Sequence, residues 1–104
     1  MAEIPRREHQ IPLAEARALI AEHRRHAAPG AEQAGYFARD AIDRLMAQPG
    51  CAGLRFYHGR RADGSATVVL VAVSTTGADM ADGTLLENHA PCPPYCDPTS
   101  SLTT

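Results

Sequence analysis

The run Ala66–Ser74 stands out in the chain because it is apolar at both alternating sets of positions. Successive side chains of a β-strand point to opposite faces of a sheet, so this pattern predicts a strand that is buried on both faces. The segments 63–65 and 75–77, which contain glycine and small polar residues, mark its two ends. A chain of 104 residues covers one such face easily, and we expect self-association to cover the other.

Two segments with helical spacing precede this strand. The first begins at Pro12, which suits the first turn of a helix, and ends at 28–30. The second is predicted from about residue 31 to residue 48, although Gly35 costs about 1 kcal/mol there relative to alanine. Its apolar stripe consists of Ala34, Phe37, Ala38, Ala41, Ile42, Leu45 and Met46.

A shorter alternating segment, Leu54–His58, lies just before the apolar run. The dipeptide Asp63-Gly64 between the two is a turn signal, so they are predicted to form an antiparallel hairpin. Residues 84–89 are a candidate third strand at the edge of the sheet. This order predicts an α+β fold in which two N-terminal helices pack on a small antiparallel sheet.

The predicted organisation is one domain between two irregular ends. Residues 1–10 are polar without a period and are expected to form a flexible lead-in. The α+β domain is expected at 11–90. Four prolines follow within nine residues, which exclude a helix or a central strand, so 91–104 is predicted to be an extended tail rich in proline and cysteine.

Charge and hydropathy exclude several classes of function. The net charge of −2 gives no basis for binding nucleic acid. No apolar run reaches the roughly 18 residues of a membrane helix. Residues 1–8 carry charges and lack the apolar core of a signal peptide. We therefore expect a cytoplasmic protein, and in that compartment stable disulfides are uncommon.

The chemically distinctive segment is Cys92-Pro93-Pro94-Tyr95-Cys96, in which two thiols flank a stiff spacer. One interpretation is a reversible disulfide. The segment superficially resembles the Cys-Pro-Tyr-Cys site of glutaredoxins, but it has one more residue between the thiols. No helix can follow it either, because Asp97-Pro98 comes next, and a helix N-terminus is what lowers the thiol pKa in such enzymes.

Two other interpretations of the tail stay open. In the first, His89, Cys92 and Cys96 bind a metal ion, with Cys51 or His58 as the fourth ligand. Thiolate and imidazole groups suit zinc, although the spacing matches no recognised zinc knuckle. In the second, the tail is an inert arm that packs along the sheet or the helices, with its cysteines acting as small buried hydrophobes.

Three segments resemble a group of small uncharacterised bacterial proteins that end in Cys-Pro-Pro-X-Cys. They are Gln48–Tyr57, with its glycine-cysteine entry to a strand, the hydrophobic strand Val68–Val73, and Pro91–Cys96. The resemblance covers about residues 12–102. It implies no activity and no catalytic residues, but it does imply that Cys51 and the two tail cysteines belong to one pattern.

These features together predict a non-enzymatic interaction or assembly module that forms homo-oligomers or binds a protein partner. No catalytic residue is predicted, and neither a nucleic acid nor a membrane is expected as a partner. The alternative is a thiol-based metal-binding or redox protein that uses Cys51, Cys92 and Cys96, with His89 as a further ligand and zinc as the metal.

Overall fold

The computed structural model describes residues 3–103, which form an α+β fold with two helices and antiparallel sheets. They group into two compact units. The sheet unit contains residues 3–5 and 37–89, and the ribbon unit contains residues 6–36 and 90–103. This grouping differs from the predicted domain at 11–90. Because compactness alone does not show that a unit folds independently, the single domain stays a prediction.

The sheet unit is built on three antiparallel strands: β2 (Cys51–Arg60), β3 (Ala66–Ser74) and β4 (Leu85–Leu86), in the order β2-β3-β4. The predicted strand at Ala66–Ser74 is confirmed with the same limits, and it is the central strand. Its apolar residues at both sets of positions explain this placement, because the central strand is the one that receives cover on both faces. The predicted third strand at 84–89 is confirmed in two residues only.

The centre of β3 is buried on both of its faces. Leu70 and Ala72 point to one face, where they form the core with Leu45 of helix α2 (Arg39–Met46). Val71 and Val73 point to the other face and are also buried. Leu70, the most exposed of these four strand residues, is only 7% exposed. A single chain supplies this burial, so β3 by itself gives no reason to expect a second copy.

The predicted antiparallel hairpin is confirmed, with Phe56 opposite Leu70 and Arg60 opposite Ala66. The loop between the strands is closed by the amide of Arg61, which donates to the carbonyl oxygen of Ser65 at 2.8 Å. Gly64 has a φ of 90° in this loop. Glycine adopts this left-handed backbone without steric cost, which explains why the Asp-Gly signal marks the turn.

The second predicted helix is wrong in its first half. Helix α2 begins at Arg39, and Ala34–Tyr36 forms a short strand, β1, that pairs antiparallel with β5 (Ala90–Cys92). Gly35 favours this outcome because it gains little from helix formation. Ala34 therefore matched helical spacing by coincidence, whereas Phe37, Ile42 and Leu45 further along do reach the core.

The first helix is confirmed as α1 (Leu13–His26), in the ribbon unit. None of its residues is buried, and neither β1 nor β5 packs on it. Arg24 reaches the carbonyl oxygen of Thr103 at 3.5 Å. Neither helix in residues 3–103 combines the length and the apolar character that a membrane crossing requires.

Candidate functional site

The tail cysteines form a disulfide, Cys92–Cys96, with their Cα atoms 4.9 Å apart. Cys92 is the last residue of β5, and its carbonyl oxygen accepts a hydrogen bond from the amide of Gln33 at 2.6 Å. The amide of Tyr95 donates to the carbonyl oxygen of Pro91 at 2.9 Å, which folds the segment back on itself. The structure thus contains the kind of bond that the expected reducing compartment disfavours.

The two sulfur-bearing residues differ in their access to solvent, since Cys96 is exposed and Cys92 is half-buried. Thiol–disulfide exchange needs a thiolate to approach one sulfur in line with the bond. An external thiol therefore reaches Cys96 more readily, and Cys92 is then the leaving thiolate. This arrangement is chemically able to undergo exchange, although the helix N-terminus that would lower a thiol pKa does not follow it.

The other predicted metal ligands, Cys51 and His89, lie in the sheet unit. Cys51 is half-buried against the core, and its thiol donates to the carbonyl oxygen of Gly53 at 3.2 Å. His89 is buried, with its ring centroid 6.1 Å from that of Phe37. Among residues 3–103 no three His, Cys, Asp or Glu side chains are grouped so as to hold a metal ion.

Two of the predicted zinc ligands, Cys92 and Cys96, are joined in the disulfide and offer no thiolate in this state. His58, the alternative fourth ligand, is exposed on β2 and contacts Phe56 edge-on with ring centroids 5.4 Å apart. Zinc binding therefore stays a prediction, and it applies to the reduced chain.

The direction of the backbone groups along β3 can be deduced from two hydrogen bonds. The amide of Met80 donates to the carbonyl oxygen of Ala72 at 2.8 Å. The amide of Ser74 donates to the carbonyl oxygen of Ala78 at 2.9 Å. Even-numbered residues of β3 therefore turn their backbone groups away from β2. Odd-numbered residues of β3 bond to β2.

The same alternation defines an open edge on β2. Leu54 lies opposite Ala72 and Phe56 lies opposite Leu70, so both are non-hydrogen-bonded partners of β3. The amides and carbonyls of Leu54, Phe56 and His58 consequently point away from β3. Since β2 ends the strand order, no strand of the sheet unit pairs with this edge.

Large apolar side chains accompany this open edge. Phe56 is 57% exposed and Leu54 is 42% exposed, both on the sheet face that carries α2. Tyr57 is exposed on the opposite face. The sequence pattern predicted the strand but not its position in the sheet. No local signal was available, because the strand that lies at the edge is decided by pairing between distant segments.

Three side chains join β2 to the loop that follows β3. Arg55 and the hydroxyl of Tyr57 each donate a hydrogen bond to the carboxylate of Asp79. The bond from Tyr57, followed by the bond and charge of Arg55, holds the pKa of Asp79 below its usual range. The same carboxylate raises the pKa of Tyr57. Sequence reasoning missed this cluster because its members are 22 and 24 positions apart.

A second polar cluster joins the hairpin loop to the end of β4. Thr67 donates to Glu87 at 2.8 Å, and Arg61 donates to the same carboxylate at 3.1 Å. Hydrogen bonding by Thr67, the backbone of Asn88 and Arg61 lowers the pKa of Glu87. Both clusters consist of mutually paired groups, which is typical of structural ties between strands rather than of reactive side chains.

No protein-family model, no curated protein and no solved structure matches this chain.

Proposed function

We propose that this protein is a non-enzymatic assembly module that self-associates through the open edge of β2. The observation that carries the proposal is a ten-residue edge strand on which alternate backbone groups, those of Leu54, Phe56 and His58, have no partner strand in the sheet. Its side chains also include exposed Leu54 and Phe56. Such an edge is a template for pairing with another strand.

Features that normally protect an edge are scarce on β2. Natural proteins use lysine, proline, bulges or very short strands to prevent edge-to-edge pairing. The chain contains no lysine, and β2 contains no proline. Its one irregularity lies at the end, between Cys51 and Gly53. The charge of Arg55 in the middle of the strand is balanced by Asp79.

Light scattering coupled to size-exclusion chromatography tests this proposal. At micromolar concentration the protein is expected to elute as an oligomer, and Phe56→Arg is expected to shift it to a monomer with an unchanged circular dichroism spectrum. Tyr95→Arg, which changes an aromatic residue of the ribbon unit that is even more exposed than Phe56, is the matched control and should not alter the oligomer. A wild-type monomer under these conditions would overturn the proposal.

A thiol-based function is the second candidate, and the solvent exposure of Cys96 in the Cys92–Cys96 bond favours it. Two molecules of a small thiol such as glutathione would donate two electrons and two protons. They would release Cys92 and Cys96 as thiols and form one glutathione disulfide.

Thiol counting on denatured protein tests this candidate. The chain has three cysteines, so one free thiol is expected before treatment with glutathione and three after it. Zinc analysis of the reduced protein belongs to the same experiment, with Cys96→Ser as control. Unchanged thiol counts at millimolar glutathione, together with no zinc binding, would exclude this class.

A cytoplasmic location is part of the main proposal, and the tail cysteines report on it. Alkylation of thiols in intact cells should trap Cys92 and Cys96 as free thiols if the protein resides in a reducing compartment. Recovery of the disulfide from the same trapping experiment would contradict that location.

A further inference from the structure

We propose that two copies of the chain pair antiparallel along β2, with a two-fold axis at Phe56, so that their three-stranded sheets join into one sheet of six strands. This inference rests on the proposed function and specifies both the partner, a second copy, and the register of the contact. It is carried by the order of side chains on β2 and by the direction of its backbone groups.

The backbone of β2 limits the registers that two copies can adopt. Only Leu54, Phe56 and His58 turn their amides and carbonyls to the open side in the middle of the strand. In an antiparallel pair these residues must face each other. The two-fold axis must therefore pass between one residue of β2 and the same residue of the second copy. In the middle of the strand that residue is Arg55, Phe56 or Tyr57.

The side chains distinguish these three choices. An axis at Arg55 places two arginines directly opposite each other, which is unfavourable. An axis at Tyr57 places Arg55 opposite Gly59 and Leu54 opposite Arg60, so neither side chain gains a suitable neighbour. An axis at Phe56 avoids both problems.

On the face that carries α2, the Phe56 axis brings apolar and aromatic groups together. Phe56 meets Phe56 of the second copy, and Leu54 meets His58. Cross-strand aromatic pairs of this kind stabilise antiparallel sheets beyond their apolar burial. Within one chain Phe56 and His58 already contact edge-on, so the second copy extends an existing aromatic cluster.

On the other face, the same axis avoids a contact between like charges. Arg55 of each copy lies opposite Tyr57 of the other, so no arginine meets an arginine. Within each chain Arg55 is already paired with Asp79, which balances its charge.

The lengths of the strands explain why this pairing closes as a dimer. The opposite end of the sheet is β4, which has two residues and offers almost no edge. Each sheet therefore has one long open edge, and an isologous contact uses both of them. Further copies have no equivalent strand to join.

Disulfide trapping tests the register. In a Cys51→Ser background, Phe56→Cys is expected to form a cross-linked dimer on mild oxidation, because directly opposed Cα atoms lie about 5.5 Å apart, within reach of a disulfide. Leu54→Cys alone is the matched control. In the proposed register the two introduced cysteines are offset along the strands by four residues, about 14 Å, so they should not cross-link.

A mixture of the Leu54→Cys and His58→Cys proteins keeps Phe56 intact and is expected to give a cross-linked heterodimer. If neither that mixture nor Phe56→Cys cross-links while light scattering still shows a dimer, the register is wrong and self-association stands. Cross-linking of Leu54→Cys to itself also overturns the register. If light scattering shows a monomer for the wild-type protein, both proposals fail.

Discussion

The sheet unit and the ribbon unit hold their chain segments together by different means. Among residues 3–103, all the buried residues belong to the sheet unit. Its core joins β3 to Leu45 of α2, so segments far apart in the sequence exclude water together. The ribbon unit has no buried residue, and its strands β1 and β5 are three residues long.

This difference shows how a segment without a core stays ordered. In the ribbon unit the Cys92–Cys96 bond closes a tight loop at the end of β5, and the bond from Gln33 to Cys92 continues the pairing. Small structures that bury little apolar surface commonly depend on such cross-links. Helix α1 has exposed pairs such as Glu22–Arg25 and Glu22–His26, each worth only a few tenths of a kcal/mol.

The largest expected effect comes from removing the core of the sheet unit. Leu45→Ala should lower the free energy of unfolding by about 2–5 kcal/mol, because this fully buried side chain would leave a cavity between α2 and β3. Urea denaturation followed by circular dichroism measures the change. Leu19→Ala on α1, where the side chain is 61% exposed, is the control and should stay within about 0.5 kcal/mol. Equal effects of the two variants would remove the contrast between the units.

An intermediate effect is expected from opening the disulfide, and it should be confined to the ribbon unit. A disulfide that closes a loop of this size contributes about 2 kcal/mol by restricting the unfolded chain. In the Cys92→Ser, Cys96→Ser double variant, hydrogen exchange at the amide of Gln33 should rise about thirtyfold. The amide of Val71, in the core strand, should exchange as in the wild type. Faster exchange at both amides would show that the units are stabilised together.

The smallest effect is a pH dependence that arises in the sheet unit. The lowered pKa values of Asp79 and Glu87 mean that the folded state favours their ionised forms. Their contribution to stability is present above the ordinary carboxyl pKa of about 4 and is lost as the pH falls through the lower folded values. The raised pKa of Tyr57 acts at the other end, so its contribution is lost as the pH rises above about 10.

Urea midpoints measured from pH 2 to pH 11 test this dependence. Asp79→Asn should reduce the fall of the urea midpoint at acid pH. Tyr57→Phe should reduce the fall of the urea midpoint at alkaline pH. Hydrogen exchange should show the acid change first around residues 77–83, while the amide of Gln33 responds little because its partner is held by a disulfide. A fall at acid pH that is unchanged in Asp79→Asn would show that the cluster is not its source.

The parts of the fold that sequence reasoning identified are those with a repeated local pattern. The continuous apolar run in Ala66–Ser74 predicted β3 with its correct limits, and helical spacing after Pro12 predicted α1. The error at Ala34–Tyr36 arose because its apolar residues fit a helix as well as a strand. Their pairing partner, Ala90–Cys92, is more than 50 positions away, where no local pattern could reveal it.

The sequence by itself determined the central strand, the hairpin, the first helix and the presence of two closely spaced thiols, since each follows from the spacing of neighbouring residues. Only the tertiary structure decided that one chain covers both faces of β3, that Cys92 bonds to Cys96, and that β2 keeps an open edge. These outcomes depend on which distant segments meet. That choice is made by the combined burial, hydrogen bonding and chain connectivity of the whole molecule.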